Sequence, residues 1–335
     1  MESKAAILYF SRMLFFIASS TLWSQKAAPV ANTDNYVGSL NNDLIISAVN
    51  GLLNNDTDAN GVGSLSVITT PISNPTHGSV VVNADGSFTF TPNLDFVGAD
   101  SFEYRVCDDG SPNNIISQFD FNSTPLTTAT IGPNAISINT NAVQTACGLR
   151  IPSASGGSTT GLDVVVPNTG GIFNFTSFKL DFEYRDQEGV ADIVSGGNFR
   201  VYHIGANTLG ITLNLINGST NLPLTITQNL GNFLPSSASA TYSIAYNSLN
   251  GTISYTLNGT TTNFTVAPPF SPLRTALASN IIIGQNMDNS GSTLPSLCSM
   301  TFTDTSKLCN DGTVNLTFGA NVITNRKITY RVKKD

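Results

Sequence analysis

Few residues in this chain are equipped for chemistry, and they fall in short clusters. The most compact is DTDANG, Asp56 to Gly61, with oxygen-bearing side chains at alternate positions ahead of a glycine. Hard oxygen donors at that spacing can converge on Ca²⁺, and the glycine permits the bend that brings them together. An EF-hand would also need a bidentate glutamate at its twelfth position, where Val67 stands. The loop therefore has two readings: a rim calcium site on Asp56, Asp58 and Asn60, or a surface turn closed by Asx hydrogen bonds. Asp108–Asp109, inside RVCDDGSPNN, poses the same choice with fewer ligands in sight. A second kind of chemistry is written in KLDFEYRD, where Asp181 and Glu183 alternate and so share one face of a strand. Glycoside hydrolysis requires an acid and a nucleophile paired in this manner. The two histidines, His77 in an HG turn and His203 at the end of NFRVYHI, read as structural, the latter as a half-exposed strand residue. No GxSxG nucleophile elbow occurs.

The elements that must hold these residues are almost entirely strands. From Ala31 onward, alternating runs rich in β-branched and aromatic residues, such as GSFTFTP, NFRVYHI, LGITLNLI and GTISYTLNG, are separated by Gly, Asn, Asp and Pro. Helical spacing is nearly absent, and many short strands closed by turn signals predict sandwich or jelly-roll architecture. At 335 residues the chain can form two domains, each with its own core. A formal charge of −7 with only 11% charged residues leaves a surface of Asn, Thr, Ser and Gly. With no basic run to neutralise phosphates, nucleic acid and anionic membrane surfaces are poor partners.

The N-terminus places Lys4 and Arg12 before the apolar run Met13–Trp23 and the polar SQK. This is the order of a secretory signal, expected over residues 1–25 with cleavage within Ser24–Ala28, the alternative being an uncleaved anchor. No later segment reads as transmembrane, so the mature protein is expected to be secreted or displayed at the cell surface. Export permits disulfides, and the four cysteines, Cys107, Cys147, Cys298 and Cys309, allow three connectivities. None lies in a CxxC or His-paired spacing, which argues against metal and redox roles.

Two segments carry more specific patterns. Within Asn50–Gly110, Leu53, Asn55, Asp56 and Asp58 are followed by His77–Gly78, Asp85–Gly86, Thr91–Pro92, Gly98, Asp100–Phe102, Tyr104 and Asp109–Gly110. In that order these residues resemble the bacterial cadherin-like or Ig-like repeat of large surface proteins. The resemblance implies a β-sandwich with acidic turns at its ends that can hold calcium. Asp85–Gly86 falls between two alternating runs as a hairpin turn, where glycine supplies the positive φ. In residues 117–304, the runs FKLDFEYRDQEGVADIVSGGNFRVYHI, TYSIAYNSLNGTISYTLNGTTTNF and IIIGQNMDNSG resemble a laminin-G-like, concanavalin A-like jelly roll. Its central strands would be Tyr242–Tyr246 and Gly251–Leu257, closed by a tight turn at Asn258–Gly259. Ala240–Thr241–Tyr242 stands where that family commonly carries tryptophan-histidine.

Cysteine-bearing repeats of the first family often read VCDxGxPxLCDTATVTI, with the second cysteine opening the last strand. Here VCDDGSPNN is separated from LCNDGTVNLTF, Leu308–Phe318, by the whole second segment. Together the resemblances imply an all-β protein: an Ig/cadherin-like sandwich, residues 31–116 plus 305–335, interrupted by a concanavalin-like jelly roll, residues 117–304. On that arrangement Cys107 pairs with Cys309 and Cys147 with Cys298. A Cys298–Cys309 bond, leaving Cys107 with Cys147, is the competing connectivity. The run Lys327–Val332 either extends the last strand or begins a further module.

For function, the jelly-roll resemblance implies binding. Its rim would hold Ca²⁺ and contact an extracellular glycan or protein. Asn286, Asp288 and Asn289, in a Gly-rich loop after NIIIG, are the residues expected to make that contact, with Asp186, Glu188, Asp192 and Asp304 as further rim acids. Glycoside hydrolases of this fold carry E-x-D-x-x-E, but Lys179 stands at the first glutamate and leaves Asp181 with Glu183 alone. One missing carboxylate removes the acid–nucleophile partnership, so no enzyme is expected. Tyr184, Tyr202, Tyr242 and Tyr255 are the aromatics available to stack a sugar, and their alternation fits core pairing equally well. The expected role is a noncatalytic adhesion module. Its rivals are a structural spacer of a surface stalk and a degenerate glycosidase.

Overall fold

The computed structural model describes residues 26–58, 61, 64–145, 147–150, 161–185, 192–204, 208–232, 239–275, 279–285 and 296–319. Strands dominate them, with single-turn 3₁₀ segments at Ala48–Asn50 and Thr169–Gly171. Among the described residues no helix is long and apolar enough to cross a membrane. The strands enclose two separate apolar cores.

The smaller core lies between a four-stranded sheet, in the order Asp34–Ser39, Cys309–Gly319, Gly98–Cys107, Ser66–Val67, and a three-stranded sheet, Leu44–Ile46, Phe88–Pro92, Gly78–Val82. Alternation decides which side chains enter it. FTFTP sends Phe88 and Phe90 inward, while Phe102, Tyr104, Val106, Val314, Leu316 and Phe318 close on them from the other sheet. Phe88 meets Phe102 at 5.5 Å and Phe90 meets Phe318 at 5.2 Å between ring centroids, contacts that add to simple area burial. The hairpin after Gly78–Val82 turns at Asp85–Gly86, where Gly86 has φ +82°, a region closed to most side chains. The turn is fastened by Asp85, whose carboxylate accepts the Ser87 N–H and hydroxyl.

The strand Cys309–Gly319 fills the centre of the four-stranded sheet. It runs antiparallel to Gly98–Cys107, with Cys309 opposite Cys107 and Phe318 opposite Gly98, and parallel to Asp34–Ser39 on its other side. Gly312 lies opposite Tyr104, and the tyrosine ring occupies the space that a Cβ at 312 would need, within 2.5 Å. Only glycine lets the ring lie flat across the neighbouring strand.

The larger core lies between a six-stranded sheet, Val164–Val166, Ile281–Gln285, Asp192–Ser195, Phe199–His203, Thr208–Ile216, Pro223–Asn232, and an eight-stranded one. The latter runs Thr260–Thr265, Thr252–Leu257, Ser239–Asn247, Phe178–Arg185, Ser296–Asp304, Gly148–Arg150, Val143–Thr145, with Asn114–Phe119 also paired to Ser296–Asp304. Phe178 stacks on Phe199 at 5.0 Å across the two sheets. His203 is buried at 4% exposure, not half-exposed, because the alternation of FRVYH carries Phe199, Val201 and His203 inward together.

In sequence, every strand of the larger sandwich lies between Gly98–Cys107 and Cys309–Gly319, which are neighbours in the smaller one. Disulfides join Cys107 to Cys309 and Cys147 to Cys298. Beside the first, the Asp108 N–H donates to the Leu308 carbonyl (3.0 Å) and Asp108 Oδ1 accepts from Leu308 N–H (3.1 Å) and Gly110 N–H (2.8 Å). The chain is thus clasped where it leaves and where it returns. Asn114–Phe119 pairs with Ser296–Asp304 over its length, so a boundary at 116/117 would cut a strand, and the larger sandwich begins at Asn114. The stretch SLSVIT yields only the short strand Ser66–Val67. Residues 1–25 and Lys327–Val332 lie outside the described residues.

Candidate ligand-binding face

The strand Phe178–Arg185 lies in the middle of the eight-stranded sheet and sorts its side chains by parity. Phe178, Leu180, Phe182 and Tyr184 are buried, and Lys179, Asp181 and Glu183 stand on the outer face. Register carries the same parity to its neighbours. Asp181 lies opposite Ser243 on one side and Thr301 on the other, and Glu183 lies opposite Thr241 and Ser299. One strand further out, Ser243 pairs with Thr256, and Thr256 with Thr261. The result is a charged row bordered by hydroxyls. Asp181 and Glu183 form the floor of a shallow cavity of about 230 Å³, lined also by Thr241, Ser243, Thr256 and Thr301.

The row is internally connected. The Lys179 ammonium sits 2.9 Å from Asp181 Oδ1, and the Ser239 hydroxyl donates to Glu183 Oε1. Asp181 and Glu183 share the face that KLDFEYRD predicts, and Lys179 completes it with a cation. The tyrosines of the sheet do not reach this face: Tyr184, Tyr242 and Tyr255 are buried, the last with its hydroxyl on the Asn232 carbonyl (2.8 Å). Tyr202, on the other sheet, lies 4.3 Å beneath the Arg200 guanidinium.

The other sequence candidates are mostly spent on structure. Asp56 Oδ1 accepts the Asn32 N–H at 2.7 Å and Oδ2 accepts the Tyr104 hydroxyl at 2.9 Å, so both oxygens are used inside the smaller sandwich. Burial raises the Asp56 pKa. Nearby Asp34, 6% exposed, is pushed up to about 6 by burial, with the Asp56 charge adding to the effect. Asp58 is described, whereas Asn60 lies outside the described residues, as do Asn286, Asp288, Asn289, Asp186 and Glu188. Among the described residues no group of three or more His, Cys, Asp or Glu is gathered as for a metal.

Asp109 accepts from Ser111 N–H (2.8 Å), Ser64 N–H (3.0 Å) and the Ser64 hydroxyl (3.1 Å), which hold its carboxyl down at about 2. Asp192 accepts from Arg200 at 2.6 and 2.8 Å. Asp304 takes the Ser306 N–H and the ammonium of Lys26, which at 6% exposure also donates to the carbonyls of Asp304 (3.0 Å) and Ser306 (2.8 Å). His77 stacks on Phe96 at 4.5 Å. Burial works against the charge of Asp100, but the N–H groups of His77, Thr76 and Ser101 overcome it and lower its pKa.

The segment that carries Asp56, His77, Asp100 and Tyr104 has a recognisable relative. Residues 26–118 match the family model of the bacterial cadherin-like domain. The cadherin-like match ends at Gln118, so it does not include the strand Cys309–Gly319 that completes the sheet. A search of curated proteins finds no match. Similar solved structures include a botulinum neurotoxin type C structure concerned with two ganglioside molecules, at 12% identity and TM-score 0.40 over 60% of this chain and 49% of that one. They also include the Ruminococcus gnavus IT-sialidase CBM40 bound to α2,3-sialyllactose, at 14% identity and TM-score 0.30 over 43% and 88%. A leech intramolecular trans-sialidase matches at 14% and 0.31 over 45% and 26%. The chain spans about half the length of the neurotoxin chain it matches.

The hydroxyl border was legible in principle, since the outward positions of ATYSIAYN, GTISYTL and SMTFTD are largely Ser and Thr. What could have revealed it was parity counted from the buried tyrosines and phenylalanines, not the acidic spacing alone.

Proposed function

We propose that this protein is a noncatalytic exported binding module that presents the outer face of its large sheet to a glycan. One observation carries the reading: Lys179, Asp181 and Glu183 stand in a row on that face with hydroxyls opposite Asp181 and Glu183 on both neighbouring strands. Sugar hydroxyls donate and accept at once, and a mixed field of carboxylate, ammonium and hydroxyl groups answers both. An apolar partner would leave these groups desolvated and unpaired. The two disulfides fit an oxidising compartment. In the same reading, residues 114–304 are a domain inserted into the last loop of the cadherin-like sandwich, an insertion tolerated because its ends leave and return side by side.

A glycan array probed with the wild-type chain and with Asp181→Asn and Glu183→Gln tests this directly. Binding to a defined set of glycans, lost in both variants, is expected. An empty array with and without Ca²⁺ would favour a structural spacer, and polysaccharide cleavage abolished in the same variants would replace binding with hydrolysis. Calcium at Asp56 and Asp58 is separable: a melting temperature indifferent to chelator leaves that loop as a turn.

A further inference from the structure

Beyond Lys179 the binding face opens into a cleft of about 590 Å³ whose walls come from both sandwiches. Lys179, Asn247, Asn250 and Asn263 belong to the large sheet and its turns, and Asp109 and Lys307 to the clasped junction. The described residues of this acidic chain contain three lysines, Lys26, Lys179 and Lys307. Lys26 is committed to Asp304. The other two line this cleft: Lys179, half-exposed, shares its charge with Asp181 on the neighbouring face, and Lys307 makes no ion pair among the described residues.

The amides sharpen the bias. Asn247 Oδ1 accepts the Leu249 N–H (3.0 Å), Asn250 Oδ1 accepts the Thr252 hydroxyl (2.6 Å), and Asn263 Oδ1 accepts the Ser254 hydroxyl (2.7 Å). Each amide oxygen already accepts at least one hydrogen bond, and each amide also carries N–H groups to offer. The one carboxylate lining the cleft, Asp109, already accepts three hydrogen bonds from Ser64 and Ser111. The ring of Tyr246 is buried with its hydroxyl on the Ser271 carbonyl, which leaves no aromatic platform for a peptide side chain. A cleft lined by two ammonium groups and by amide N–H groups, whose one carboxylate is already held by three donors, favours a ligand that carries anionic oxygen.

We infer that this cleft is a second subsite that takes the carboxylate of an acidic glycan, held between Lys179 and Lys307 while neighbouring sugar hydroxyls lie over Asp181 and Glu183. This deepens the proposed function and rests on the face being a glycan site. The selectivity for acid comes from the junction, so it belongs to the intact chain and not to the large sheet alone.

The test is titration calorimetry on the full chain with a uronic acid hexamer, its carboxyl-reduced neutral counterpart, and a glutamate-rich peptide. The uronate should bind at least tenfold tighter than the reduced hexamer and lose that advantage at 0.5 M salt. Lys307→Met, which keeps the stem, should weaken the uronate about tenfold and leave the reduced hexamer unchanged. Glu183→Gln should weaken both hexamers. Equal affinity of the two hexamers, or a Lys307→Met variant that binds the uronate like wild type, overturns the subsite and leaves the face intact. Absence of binding to either hexamer overturns the glycan reading and the subsite with it, and preference for the peptide replaces the glycan by an acidic protein.

Discussion

The two sandwiches use the same residue types in opposite places. In the smaller one the named acids are consumed by donors close at hand: Asp56 by Asn32 and Tyr104, Asp85 by Ser87, Asp100, on the strand Gly98–Cys107, by the turn at His77, and Asp108 by Leu308 and Gly110. In the larger one, Asp181 and Glu183 sit mid-strand, where the backbone's own donors are already paired across the sheet and cannot reach them. A carboxylate within reach of a turn's N–H groups closes the fold, and the outward pair at the centre of the large sheet lies beyond such reach. The small sandwich is therefore a frame, and the large one presents a surface.

The comparison breaks most visibly if the frame is opened. Replacing Cys107 and Cys309 together with serine should cost about 2–5 kcal/mol. Amide exchange should rise in Gly98–Cys107 and Cys309–Gly319 while Phe178–Arg185 stays protected. Equal loss of protection in both sandwiches would mean that they fold as one unit. Next in size is Tyr104→Phe, which strips Asp56 of its buried hydroxyl donor and should cost about 1–3 kcal/mol. Thermal melts should register that loss with the proposed glycan binding unchanged. A drop in binding would tie the face to the frame.

Alternation made most of this architecture readable beforehand. FTFTP, KLDFEYRD and FRVYH each declare one buried face, and Asp-Gly and Asn-Gly mark turns that the structure places at Gly86 and at Asn258–Gly259, all with positive φ save Asp85. Pattern fails where a residue's partner is remote. Nothing in DNYVGS says that it runs parallel to a strand that begins 270 residues later, with Asp34 turned inward beside Asp56 and Tyr104. Lys26 is equally silent, since its carbonyl partners at 304 and 306 exist only once the chain has returned. The boundary misplaced inside Asn114–Phe119 has the same cause: the strand's alternation is plain, but its choice of Ser296–Asp304 over Gly98–Cys107 is made by register across the large sheet. The candidate face was half legible, for the acids are visible in sequence and the hydroxyls opposite them are assembled from the two neighbouring strands.

A smaller effect comes from the acid pair inside the frame. Asp34 titrates near 6 when folded against 3.8 as a free side chain, and Asp56 is shifted the same way. The folded state therefore holds more protons than the unfolded one between about pH 4 and 6, and stability falls as pH rises through that window. Asp100 and Asp109, shifted downward, act oppositely, and what they contribute is lost as pH falls below about 4. The melting temperature should thus peak near pH 4–5. Asp34→Asn should raise it at pH 7 by the equivalent of about 1 kcal/mol and flatten the slope between pH 4 and 6. A variant less stable at pH 7 would show that the charge of Asp34 is needed where it lies.

Least of all should be the stability change on the presenting surface. Glu183→Gln keeps an oxygen for the Ser239 hydroxyl, and Asp181→Asn removes only a half-exposed pair with Lys179, so each should move the unfolding free energy by less than about 0.5 kcal/mol. A residue that holds the fold cannot be that cheap to change. If instead either substitution costs 2 kcal/mol or more, the charged row is a structural brace, and the contrast between a frame that uses its acids and a face that offers them fails at the strand on which it was built.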